Sequence, residues 1–178
     1  MNGFMQSQRI ILVFLLLLSS QTMAQEQHNY KLGAGDKIAI KVYGEADLSM
    51  SVLIDTSGSI DYPYLGEIHV VGFTPAEIKQ KIYRGLKGPY LISPKVMVSI
   101  ASFRQFYIKG EVKRPGGYPF RPGLTVDKAI ALAGGFTERA ARQSIMLSNN
   151  SNLKQGHKVT TDDHVSPDDI LNIEQSFF

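Results

Sequence analysis

Residues 108–136, IKGEVKRPGGYPFRPGLTVDKAIALAGGF, put the narrowest limits on what this chain can fold into. Phe106 and Ile108 alternate with Tyr107 and Lys109 up to Gly110, and Pro115, Gly116 and Gly117 then predict a turn, so a β-hairpin is expected here. A second turn at Arg121, Pro122 and Gly123 leads to Thr125, which can cap a helix whose apolar positions Val126, Ala129, Ile130 and Ala133 share one face. Gly134 and Gly135 end that helix. A strand pair feeding a short helix that packs back onto it is the opening of a β-grasp module. Such a module binds rather than catalyses unless a reactive group can be found on it.

The N-terminus reads as a targeting segment. Arg9 is followed by the apolar run IILVFLLLL at residues 10–18, and Thr22, Met23 and Ala24 offer a small-residue cleavage site, so residues 1–24 are expected to be a secretory signal peptide. A membrane-spanning helix needs about 20 apolar residues, and this run is roughly half of that. The chain has no cysteine. An exported protein without disulfides must depend on its core, which suits a bacterial periplasm, and a lipidated N-terminus would need the missing thiol. The net charge of +3 steers little, and no Lys/Arg stripe with interleaved aromatics points to nucleic acid.

Upstream of the opening stretch the pattern is mostly β. After the turn residues Gly33, Ala34, Gly35 and Asp36, the apolar Ile38, Ile40 and Val42 alternate with Lys37, Ala39 and Lys41. Met50, Val52 and Ile54 form a second run, residues 60–64 and 67–71 two shorter ones, and Val96, Val98 and Ile100 another. Between them lies a strong helix start: Thr74 as N-cap, Pro75 at the first position, Glu77 to complete a capping box, and Phe73 positioned to staple onto Ile78. Ile78, Ile82 and Leu86 share its inner face, and Gly88 and Pro89 stop it.

Residues 101–104 make a linker so short that the two units should pack together. Beyond the opening stretch, a strand is expected at residues 145–147, a loop at 148–152 (SNNSN), and a closing strand at 167–173. This last segment, PDDILNI, echoes AGDKIAI at residues 34–40: in both, a turn ending on an acidic residue launches apolar positions two apart.

Two ordered sets of residues resemble the bacterial polysaccharide export proteins. One is LGAGDKIAIKVYG at 32–44 with GSIDYPYLGEIHVVGFT at 58–74; the other is Gly110, Val112, Pro115, Gly116, Tyr118, Thr125, Ala129, Ile130, Ala133, Gly134 and Gly135. The resemblance implies an α+β chain of two small β-rich domains in tandem: an export domain at residues 28–101 and a β-grasp domain of the SLBB type at 105–178. It implies a non-enzymatic periplasmic component of a capsular or exopolysaccharide export machine, guiding polymer toward or through the outer membrane within a ring-shaped homo-oligomer. Its partners would be polysaccharide, an inner-membrane polysaccharide co-polymerase and an outer-membrane export partner that holds it at that membrane. Full-length relatives carry further β-grasp repeats and a C-terminal membrane helix, so a short form is expected to rely on those partners for the outer-membrane passage. The alternative is a periplasmic oligosaccharide-binding or sensing module that forms no conduit.

The chemistry in the residues favours binding. His28, His69, His157 and His164 are dispersed, and no nucleophile or phosphate-binding motif is present, so neither a catalytic residue nor a cofactor is expected. Asp162, Asp163, His164, Asp168 and Asp169 are the one acidic group that could hold a cation, against the ordinary reading of a solvated loop and strand-entry turn. Sugars are held by aromatic faces and planar polar groups, with Arg and Lys added for acidic polymers. Candidates for polymer or subunit contact are Lys113, Arg114, Tyr118 and Arg121 near the hairpin, and Tyr62 and Tyr64 beside Pro63. Tyr62 and Tyr118 also have a structural reading, buried within the fold.

Overall fold

The computed structural model describes residues 30–149 and 156–176. The expected signal peptide, His28 and residues 150–152 of the expected loop lie outside them. Lys31–Phe178 forms one compact unit. Its fold is α+β, in two β-rich halves.

In the first half, β1 (Lys37–Val42) is the centre of a three-stranded antiparallel sheet, flanked by β2 (Glu45–Leu53) and β5 (Val96–Ser102). Ile38, Ile40 and Val42 all face inward and are buried, as their alternation predicts. A separate hairpin joins β3 (Ser59–Tyr62) to β4 (Gly66–His69). Helix α1 (Pro75–Leu86) forms where its start signals predict. Thr74 Oγ1 accepts the Glu77 N–H at 3.2 Å, and the Glu77 carboxylate accepts the Thr74 N–H at 2.7 Å. Ile78, Ile82 and Leu86 are buried on the sheet side. The expected staple takes a different form: Phe73 is exposed, meeting His69 edge-on and carrying Lys81 over its ring.

The second half is a five-stranded sheet of order β7-β6-β10-β8-β9, formed by β6 (Gln105–Gly110), β7 (Gly116–Pro119), β8 (Ala140–Asn149), β9 (His157–Val159) and β10 (Asp169–Gln175). Helix α2 (Val126–Leu132) lies across it, and Val126, Ala129 and Ile130 join Phe106, Ile108, Ile145, Leu171 and Ile173 in one core. Strand β10 enters between β6, to which it is parallel, and β8, to which it is antiparallel. A hairpin, a helix and a last strand paired parallel to the first make the β-grasp arrangement.

Two expectations shift. Gly116 and Gly117 belong to β7, not to the turn, which residues 111–115 supply. Gly117 faces Tyr107, and a β-carbon there would sit 2.6 Å from the Gln105 amide oxygen and 3.1 Å from the Tyr107 ring, so glycine makes room for a neighbour. Ser148 and Asn149, read as loop, continue β8 because they pair with Ile170 and Asp169. Gly110 has a comparable reason: its φ is +86° and a β-carbon would collide with the Ile173 carbonyl oxygen, where β6 and β10 meet.

The echo between the two acidic turns is structural. Asp36 accepts the Gly33 N–H at 2.9 Å, and Asp169 accepts the Ser166 N–H at 2.7 Å, each through the carboxylate three residues on. Gly35 and Asp168 occupy the same place, with φ of +91° and +74°. Asp36 does more. Fully buried, it also accepts the Arg104 backbone N–H at 2.8 Å and its guanidinium at 3.0 Å, so the short linker is bound to the opening turn. The absence of a side chain at Gly33 leaves room for that guanidinium, which a β-carbon would displace. Phe103, beside it, meets Phe120 edge-on at 5.3 Å. The two halves are therefore packed together, as the linker length predicts.

Candidate functional site

The β3–β4 hairpin separates two tyrosines that are two residues apart. Tyr62 ends β3 facing inward, 1% exposed, and its hydroxyl donates to the Leu48 carbonyl at 2.8 Å. Burial raises its phenol above the ordinary value. Tyr62 thus takes the structural role expected as its other reading: the ring fills the core and its one polar atom is satisfied.

Tyr64 is its opposite. Leu65 N–H closes the turn on the Tyr62 carbonyl, and Tyr64 at the tip has a φ of +64°, a conformation that a bulky side chain adopts at a cost of about 1–3 kcal/mol. The ring is 65% exposed and stacks, tilted by 33°, on Tyr90 at 4.9 Å. Tyr90 is 47% exposed and donates its hydroxyl to the Tyr64 carbonyl at 3.2 Å. It stands just past α1, where its N–H still reaches the Leu86 carbonyl. Leu65 lies against Gly85 of α1, where a β-carbon would come within 2.8 Å of its methyl groups. A strained hairpin tip is thus pinned to the end of α1, and it presents a paired aromatic face with Ile92, 93% exposed, in the same post-helix segment.

The basic candidates gather on the other half, around α2. Arg114 donates its backbone N–H to Ala133 O at 2.9 Å and its guanidinium to Leu132 O at 3.1 Å, while the Lys113 N–H reaches Gly135 O at 3.0 Å. These bonds satisfy carbonyls that the end of a helix leaves free. Gly134 and Gly135, with φ of +83° and +88°, close α2 by donating to Ala131 O and Ile130 O, and the absence of a β-carbon at Gly134 lets Lys113 and Arg114 come close. The Tyr118 hydroxyl donates to Arg114 O at 2.5 Å and its ring leans on Phe106, so Tyr118 fastens the hairpin loop to the core. Arg121 lines an open groove of about 500 Å³ along α2 with Leu124, Lys128 and Leu132. Lys113, Arg114, Tyr118 and Arg121 therefore surround one helix, whereas Tyr64 belongs to the first half.

The acidic group is committed to turns. Asp163 accepts the Thr160 N–H at 2.7 Å and its hydroxyl at 3.0 Å, bonds that hold its carboxyl below the usual value. Asp169, taken by Ser166 and Asn149, is pushed up by burial. Among the described residues no three His, Asp or Glu side chains converge as metal ligands, and no helix is long and apolar enough to cross a membrane. Sequence reasoning missed Tyr90. Its signal was faint: an aromatic after Gly88 and Pro89, outside any helical or alternating pattern.

Residues 24–101 match the model of the polysaccharide biosynthesis/export protein family, and residues 105–160 match the SLBB domain. The chain is similar to an exopolysaccharide production protein of Rhizobium meliloti (strain 1021), 32% identical over 162 residues that cover 80% of this chain and 38% of that protein. It is similar to an EPS I polysaccharide export outer membrane protein of Ralstonia nicotianae, 32% identical over 109 residues, 60% of this chain and 28% of the relative. A polysialic acid transport protein of Escherichia coli is 24% identical over 132 residues, 71% of this chain and 23% of its own length. The chain thus spans less than two fifths of these relatives.

Proposed function

Because the chain belongs to the polysaccharide biosynthesis/export family, its export domain followed by an SLBB domain, we propose that it is a non-catalytic periplasmic component of a capsular or exopolysaccharide export machine. Several copies form a ring that guides polymer toward or through the outer membrane, between an inner-membrane co-polymerase and an outer-membrane export partner. The observation that carries this reading is the series of two family domains on one compact body. The names of the relatives, which concern exopolysaccharide production, polysaccharide export and polysialic acid transport, support bacterial surface polysaccharide as the cargo.

Translocation asks for weak, repeated contacts. A symmetric ring multiplies one shallow site around a passing chain, giving guidance without tight retention. The Tyr64–Tyr90 face has the right character, since exposed aromatic rings take the C–H faces of sugars and neither ring carries a charge to hold a polymer fast. Arg114 and Tyr118 hold the SLBB hairpin in place, which leaves Lys113 and Arg121 as the basic candidates of that half for contact with polymer or a neighbouring subunit.

A photoreactive phenylalanine analogue placed at position 64 in polymer-producing cells tests this reading. The expected product on illumination is an adduct that a polymer-degrading enzyme trims, accompanied by a ladder of cross-linked copies; the same residue at the buried position 62 gives neither. Illumination at position 64 that captures neither glycan nor a second copy would contradict the proposal.

A further inference from the structure

A second groove lies on the export half, and no residue of the hairpin tip lines it. It has a volume of about 610 Å³ and is bounded by Tyr43 at the end of β1, by Lys79 and Tyr83 on α1, and by Lys95 just before β5. The size is that of a small-molecule site, about 300–1,000 Å³. Its walls are fixed by secondary structure. The Tyr43 N–H donates to Lys95 O at 3.0 Å, tying the β1–β2 turn to the entry of β5, while Lys79, Tyr83 and Lys87 follow one another at four-residue spacing along a flank of α1.

The charged residues that line it are of one sign. Lys41 lies 5.0 Å from the centre of the Tyr43 ring and Lys87 5.4 Å from that of Tyr83, which adds two cations beside Lys79 and Lys95. Lys41, Lys79, Lys87 and Lys95 form no ion pair among the described residues, whose salt bridges are Lys31–Glu77 and Arg104–Asp36. No carboxylate lines the groove: Glu77, on α1, is engaged with Thr74 and Lys31, and Glu45 lies across the turn in β2. Two lysines in the lining, and two more beside its tyrosine rings, make a positive groove floored by the buried Pro94 and Val96. A neutral sugar would leave those charges unused. A sugar with a carboxylate would place its ring against tyrosine and its anion between lysines.

We propose that this groove is a binding subsite for a carboxylated saccharide, a uronic or similar sugar acid within the polymer. The proposal rests on the export reading and makes it more specific: this chain engages acidic polymer through Tyr43, Tyr83, Lys79 and Lys95. Lysine suits the task. Its ammonium acts as a point charge with no fixed geometry, so successive sugar acids can exchange across it as polymer moves.

Titration of the 15N-labelled protein, purified from the envelope of producing cells, with trigalacturonate and with its carboxyl-reduced counterpart tests the proposal. Trigalacturonate is expected to shift the amide signals of Tyr43, Gln80, Tyr83 and Lys95 saturably, and the reduced trisaccharide to leave them in place. The double variant Lys79→Gln, Lys95→Gln should keep its spectrum, since both side chains are exposed, and bind about tenfold more weakly. Raising the salt should weaken the wild type more than the variant. Equal response to both sugars, no saturable response at these residues, or a stronger response there to hexaglutamate would each overturn the proposal, the last by making the groove a seat for an acidic protein. Binding of either sugar at Tyr64 and Tyr90 alone would overturn the groove and leave the export reading standing. Binding of neither sugar anywhere, with surface polymer unchanged in a strain lacking the protein, would remove both.

Discussion

Single residues in this protein can be matched because its two acidic turns repeat one design and differ at the residue before the acid. Gly35 takes a positive φ freely, and Asp168 takes the same conformation with a β-carbon and a charge beside the buried Asp169. Asp168→Gly is therefore expected to stabilise the fold by about 0.5–1 kcal/mol, read as a raised urea midpoint at unchanged slope. Charge state adds a second test. Hydrogen bonds from Thr74 hold the Glu77 carboxyl below its ordinary value, so its contribution is present above the unfolded value of 4.5 and is lost as pH falls below it. Asp163 acts in the same sense, and Asp169, raised by burial, in the opposite one: its ionisation weakens the fold as pH rises through its elevated value. Glu77→Gln should therefore lower stability at neutral pH and converge with the wild type as pH falls through the depressed value of the folded carboxyl, which urea unfolding across pH will read.

At the scale of elements, the local signals and the long-range ones separate cleanly. Helix α1 was legible from Thr74, Pro75 and Glu77 because capping is a contact within four residues, and β1 from the alternation of Ile38, Ile40 and Val42 because burial of one face is written at period two. The parallel pairing of β10 with β6 was not legible as a pairing, since the residues that meet, such as Ile173 and Gly110, are far apart in the chain and nothing local encodes their register. The same limit explains Gly117, whose reason is the Tyr107 ring across the hairpin, and Tyr90, whose partner Tyr64 lies on the other side of α1 in sequence. Of the candidate site, Tyr64 was legible from its place beside Pro63, while the burial of Tyr62 depended on the packing of β3. A prediction belongs at this scale as well. Gly110→Ala would force a β-carbon into the Ile173 carbonyl and should cost more than about 3 kcal/mol, enough to separate β6 from β10, seen as loss of amide protection in β10 with β1 unaffected.

Across the whole molecule, the joint between the halves converts two small domains into one body. Asp36 receives the backbone and side chain of Arg104 at the start of the SLBB half, so truncating Arg104 takes the guanidinium away from a buried carboxylate that keeps its backbone N–H donors from Gly33 and residue 104. Arg104→Ala should cost about 3 kcal/mol, somewhat reduced by the partial exposure of the guanidinium, and should let the halves unfold in separate steps in calorimetry. On the proposed export role that coupling matters, because an aromatic face on one half and a basic helix surface on the other could act on one polymer only if the body between them is stiff. The most direct measure of the central claim is the distribution of polysaccharide in a producing strain from which this gene has been deleted. Export by this protein predicts that surface and released polymer are lost while polymer accumulates inside the envelope, with both restored by the wild-type chain; surface polymer unchanged in amount and length would contradict it.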